Sequence, residues 1–151
     1  MFADVIKHME PLELEEAELE QPFSLDDEGQ VATLGDWLEQ KAPPKVLTAF
    51  HRTREPHPTI RSVRDLDEEG LKQVTIAVLR AADPAERLAV VGGGHYAPDD
   101  LVREVEHGSE LGHRLIHAVK NHALFVEQAV RRGKIRPKPV GEELEFPDFP
   151  F

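Results

Sequence analysis

Eight histidines and no cysteine are spread over 151 residues, so chemistry in this chain rests on imidazole, carboxylate and hydroxyl groups. The missing thiols remove disulfides, cysteine nucleophiles and thiolate zinc sites, and they point to a reducing, cytoplasmic setting. The densest histidine grouping is "ELGHRLIH", where Glu110, His113 and His117 stand at i, i+3 and i+7. Glu-x-x-His is the local pattern of di-iron bundles, and two histidines four apart on a helix can chelate zinc or copper. A helical projection decides where these side chains point. Leu111, Leu115, Ala118, Val119, Phe125, Val126 and Ala129 gather in one arc, His122 falls in its middle, and Glu110, His113 and His117 lie opposite. A di-iron site needs carboxylates converging from several helices into a core. The expectation is therefore no native metal site here, no cofactor, and a hydrogen-bonded core role for His122.

The second stretch with chemical potential is "LAVVGGGHYAPDD", Leu88 to Asp100. Upstream, Asp83 is placed to cap a helix whose first turn holds Pro84, with Glu86 completing a capping box. This predicts a helix from Pro84 through Leu88, Val90 and Val91, stopped by the glycines. Pro98 then opens the next helix, and Asp99 and Asp100 occupy its positive end. Two acids there repel a nucleotide phosphate, and the spacing fits neither phosphate-loop template.

The "GGGHYAP" turn followed by Gly112 and His113 resembles the active-site region of the archaeal-type D-aminoacyl-tRNA deacylases, over residues 88–113. The resemblance implies a hydrolase in which His95 and His113 position an aminoacyl ester. The Gly92–Gly94 amides would then donate to the oxyanion. The three serines, Ser24, Ser62 and Ser109, lack a paired base, and Ser109 is placed to cap a helix. No residue is assigned a catalytic role from the pattern alone.

Elements that could position such groups are legible from caps and periodicity. Thr33 and Asp36 bracket a helix start with Leu34, Trp37 and Leu38 on one face, stopped by Pro43 and Pro44. Residues 44–64 read as a basic, proline-containing connector. Asp65 caps a helix carrying Leu71, Val74, Val78 and Ala81. Pro98 opens a short helix with Leu101, Val102 and Val105 inward, Gly108 ends it, and Ser109 starts a long helix from Glu110 to about Arg132. The expected fold is mainly α: a small helical bundle with extended charged N- and C-terminal arms and a minor β element. Its organisation is an acidic arm over 1–32, a short helix and basic connector over 33–64, a helical core over 65–135, and an aromatic tail over 136–151.

Charge is segregated along the chain, whose formal net charge is −11. Residues 1–41 hold twelve acids against two bases, 42–66 hold two against five, 131–139 hold five bases alone, and 140–151 hold four acids alone. An acidic excess disfavours general nucleic-acid or anionic-membrane binding, and the N-terminus lacks a secretory pattern.

The tail "EELEFPDFPF" places Leu144, Phe146, Phe149 and Phe151 among prolines. Each ring left in water forgoes about 2 kcal/mol. The expected function is therefore a non-catalytic protein-interaction module, an adaptor, regulator or assembly subunit. It binds a basic protein partner or a second copy through Leu144, Phe146, Phe149 and Phe151 and through Leu12 and Leu14 of the acidic arm. Two alternatives stay open besides the deacylase-like hydrolase. One is nucleic-acid binding through residues 45–64 and 131–138; the other is a regulator that mimics nucleic acid with its acids.

Overall fold

A computed structural model describes residues 10–85, 87–89 and 94–139. In chain order these form β1 (Leu12–Leu14), α1 (Glu16–Leu19), β2 (Pro22–Leu25), β3 (Val31–Thr33), α2 (Leu34–Lys41) and α3 (Pro44–Ala49). A 3₁₀ turn (Val63–Asp65) leads to α4 (Glu68–Arg80), β4 (Leu88–Ala89), β5 (His95–Tyr96), α5 (Pro98–His107), α6 (Glu110–Arg131) and β6 (Ile135–Pro137). The chain is mainly helical with a minor β component, as its sequence predicts.

Local chemistry sets most boundaries. The Thr33 hydroxyl accepts from the Asp36 N–H at 3.1 Å and Asp36 accepts from the Thr33 N–H at 3.0 Å, the reciprocal cap that starts α2. Gly108, at φ 69°, takes the left-handed conformation that ends α5. The Ser109 hydroxyl then accepts from the Gly112 N–H at 3.0 Å to open α6. Two starts differ from expectation. The cap of α4 is Asp67, which accepts from the Gly70 N–H at 2.8 Å, while Asp65 belongs to the 3₁₀ turn. Pro44 stops no more than α2: it sits in the first turn of α3, where its missing N–H costs nothing.

Leu88 and Ala89 are a strand, not a helix. They pair antiparallel with Tyr96 and His95. The Asp83 carboxylate does accept from the Ala85 N–H at 3.0 Å, but only a turn follows. Leu88 and Tyr96 instead pack over the small core of Leu79, Leu101, Val102 and Val105. Glu86, Val90, Val91, Gly92 and Gly93 lie outside the described residues.

The larger core gathers Leu14, Leu19, Phe23 and Leu25 from the acidic segment with Trp37, Leu38, Val63, Val74, Val126 and Val130. The segment expected as an extended arm is therefore folded from Leu12 onward. Its anchor is parallel pairing of β1 with β6, Leu12 opposite Ile135 and Leu14 opposite Pro137. Charge segregated in sequence is reunited by this pairing: Arg136 donates to Glu13 at 2.6 Å and Lys138 to Glu15 at 3.1 Å. Fully buried Trp37 lies 5.8 Å from the Phe23 ring, with Lys41 and Arg131 cations 5.6 and 5.4 Å from its own.

One buried carboxylate ties α6 to the 3₁₀ turn. Glu127 is 1% exposed and accepts from the Ser62 hydroxyl at 2.7 Å and the Val63 N–H at 2.6 Å. Burial pushes its pKa up, opposed by the Val63 and Ser62 hydrogen bonds and the charges of Arg131 and Arg64.

Candidate functional site: an apolar groove with an acidic rim

Alternation in β1 turns Leu12 and Leu14 toward the packed side and leaves Glu13 exposed at the groove's edge. Leu14 enters the core, 7% exposed, while Leu12 stays half-buried at the edge of a groove of about 470 Å³. Phe23 of β2 and Leu34 of α2 contribute buried floor; Ala123 and Val126 of α6 contribute the rest. Val78 of α4 and Val119 of α6 are half-buried along its length. The exposed lining residues are Glu13, Glu18, Gln21, Ala118 and His122. An apolar floor with a short polar rim and two carboxylates fits an apolar side-chain row flanked by positive charge. Two other clefts differ in kind. One, about 440 Å³, mixes Glu15, Glu16, His51 and Lys138 with Leu14 and Phe50; the other, about 530 Å³, carries Glu69, Lys72, Arg80 and Glu106.

His122 is exposed on the groove rim, which corrects its expected core role. The buried face of the second half of α6 consists of Ala123, Val126, Glu127, Ala129 and Val130. Half-buried Phe125 and exposed Ala118 draw the projected arc toward His122, and the projection assigns no inward place to Glu127. Leu144, Phe146, Phe149 and Phe151 lie outside the described residues.

Glu110, His113 and His117 are all exposed, as their side of the helix predicts. A second Glu-x-x-His pair, Glu104 and His107, stands on α5. There Ser109 Oγ donates to Glu104 Oε1 at 2.6 Å, and His107 is exposed. Gly112 has a packing reason of its own: a Cβ there would run into the carbonyl oxygen of Glu104 and lie 2.9 Å from Val105 Cα. Its hydrogen lets α5 and α6 touch, and His113 follows on the exposed side. His95 is exposed on β5.

The basic connector directs much of its charge inward. Arg52 reaches Glu39 at 2.8 Å, Glu16 at 3.2 Å and Glu20 at 3.8 Å. Burial disfavours its charge, but the Glu39 and Glu16 carboxylates outweigh that and raise its pKa. Arg54 donates to the carbonyls of Glu39 and Ala42 at 2.9 and 2.8 Å, closing the C-terminal end of α2. Sequence reading missed what this lacing brings together: Asp36, Glu39 and His57 each offer one potential metal-ligand atom within 4.8 Å of the others. Asp36 and Glu39 at i, i+3 on one helix were legible; His57, eighteen residues beyond Glu39, was not.

No family model, curated protein or solved structure matches the chain. Among the described residues no helix is long and apolar enough to cross a membrane.

Proposed function

We propose that this chain is a non-catalytic cytoplasmic interaction module, an adaptor, regulator or assembly subunit. In this reading its groove takes an amphipathic, lysine- or arginine-flanked segment of a protein partner. One observation carries the reading: the acidic segment is folded so that Leu12 and Leu14 line an apolar groove whose rim presents Glu18 and the Arg136-paired Glu13. The chain's net charge of −11 supports a basic partner, since long-range attraction raises the encounter rate before any contact forms. Four leucine anchors at about 1.5–3 kcal/mol each, less an association cost of at least about 4 kcal/mol, leave at most about 8 kcal/mol, a Kd in the micromolar range at its tightest.

The test uses a fluorescent helical peptide of about 18 residues, with leucines at i, i+3, i+4 and i+7 and lysines elsewhere, and its leucine/glutamate counterpart. Anisotropy is expected to give a roughly micromolar Kd for the lysine peptide and at least about tenfold weaker binding of the glutamate one. Ala118→Arg, an exposed helix position at the groove, should weaken the lysine peptide by a similar factor. Equal binding of both peptides, or indifference to Ala118→Arg, overturns the reading. A dimer dissolved by Ala118→Arg would assign the groove to a second copy. Amide shifts in residues 1–9 or 140–151 caused by Ala118→Arg without peptide would assign it to the chain's own ends. Either result displaces the proposed partner.

A further inference from the structure

Asp36, Glu39 and His57 form a constellation that the interaction reading does not use. We propose that these three side chains bind one divalent transition-metal ion of the zinc class, which clips the 51–60 connector to α2.

The positioning is built from several directions. Asp36 and Glu39 are one helical turn apart on α2, so their carboxylates emerge side by side. His57 is brought to them by the connector, which Gln40 holds in place. The Gln40 amide nitrogen donates to the Pro58 carbonyl at 2.8 Å, and its oxygen accepts from the Ile60 N–H at 3.0 Å. Each carboxylate is also fixed through one oxygen: the Thr33 N–H donates to Asp36 Oδ2 at 3.0 Å and Arg52 to Glu39 Oε2 at 2.8 Å. This is the outer-shell support that metal-binding carboxylates need, and it leaves each a second oxygen for a ligand.

Distance and charge agree with that assignment. His57 Nε2 lies 2.7 Å from Glu39 Oε1, and all three residues are half-buried. Tetrahedral ligands at zinc bond lengths stand about 3.3 Å apart, so admitting an ion requires the imidazole and carboxylate to part by less than about 1 Å. Around the cluster Glu16, Glu20 and Glu39 face the Arg52 guanidinium, Arg54 donates to the Glu39 and Ala42 carbonyls, and Asp36 adds a fourth carboxylate. With His57 neutral, four negative charges meet two positive ones, and a divalent ion closes the difference. The imidazole selects a zinc-like ion over calcium or magnesium, which prefer all-oxygen sets. Three protein ligands leave a fourth position for water.

The experiment is calorimetric titration of zinc chloride into the chelator-treated full chain near neutral pH. His113→Ala/His117→Ala serves as the background, so that the exposed helix pair is not read as the site. One zinc per chain is expected, with a micromolar or tighter Kd and a zinc-dependent rise in melting temperature. His57→Gln should abolish both effects. Asp36→Asn keeps a capping oxygen and should weaken binding by about tenfold or more. Cobalt should give the visible absorption of a four- or five-coordinate ion in the background protein and lose it in His57→Gln. Zinc binding that survives both His57→Gln and Asp36→Asn overturns the proposal. So does failure of the background protein to bind zinc at micromolar concentration, which would leave the His57–Glu39 contact as a plain hydrogen bond.

Discussion

Gly112→Ala is expected to destabilise the protein by about 2–3 kcal/mol and to lower its melting temperature by roughly 6–10 °C. Alanine is the better helix former by about 1 kcal/mol, so propensity alone predicts the opposite sign. The clash decides. The added methyl meets backbone, not a pliable side-chain end: the Glu104 carbonyl oxygen, its carbon at 2.8 Å and Val105 Cα at 2.9 Å. Neither helix can yield alone, because Gly108 and Ser109 are the only residues between them and the Ser109 N–H bonds back to Glu104 O at 3.2 Å. Relief requires α5 to move away from α6 and opens the small core around Leu101, Val102 and Val105. Gly94, where a Cβ would meet nothing within 4 Å, is the control, and Gly94→Ala should change stability by less than about 0.5 kcal/mol. Thermal unfolding of the two variants checks this; an unchanged Gly112→Ala would contradict the close helix approach.

Glu127→Ala should cost about 3 kcal/mol, whereas Glu127→Gln should stay within about 1 kcal/mol of the parent near neutral pH. Alanine leaves the buried Val63 N–H and the Ser62 hydroxyl without their acceptor. A glutamine oxygen can still accept from Val63, and its amide can donate to Ser62. The two variants also differ from the parent in pH dependence. Glu127 has a folded-state pKa raised above 4.5, because burial outweighs its hydrogen bonds and nearby arginines. As pH rises from 4.5 through that raised value, the unfolded chain gives up this proton first, so the native state binds more protons and its stability falls. Below 4.5 the contribution is fully present. Urea unfolding across this window should show the falling component in the parent and its loss in Glu127→Gln. A parallel pH profile for the two would contradict the assignment.

Local chemistry made the helices readable. Thr33 with Asp36, Pro98, Gly108 and Ser109 act within three or four residues, and each sits where its type predicts. What escaped was non-local. β1 finds its partner in β6, and Glu13 meets Arg136 across 123 positions; alternation of Leu12 and Leu14 with acids suits a strand as well as a helix and does not name its partner. Two-residue β4 is stabilised by Tyr96 and the small core beneath it, while the preceding Asp-Pro pair imitates a helix start. Helix α6 serves both cores: Leu111, Leu115 and Ile116 face the smaller, while Ala123, Val126, Ala129 and Val130 enter the larger. A single projection over 22 residues merges those two faces, which puts His122 inside and leaves Glu127 unassigned. Of the candidate site, Leu12 and Leu14 were legible from alternation; the walls from Phe23, Leu34, Val78 and Val119 depended on packing.

Amide-shift mapping of the leucine/lysine peptide on the labelled full chain tests the central claim most directly. The account predicts saturable shifts concentrated on Leu12, Leu14, Phe23, Val119 and Ala123, with Ala118→Arg suppressing them. Shifts scattered over the acidic surface, or gathered away from the groove and unchanged by Ala118→Arg, would contradict it.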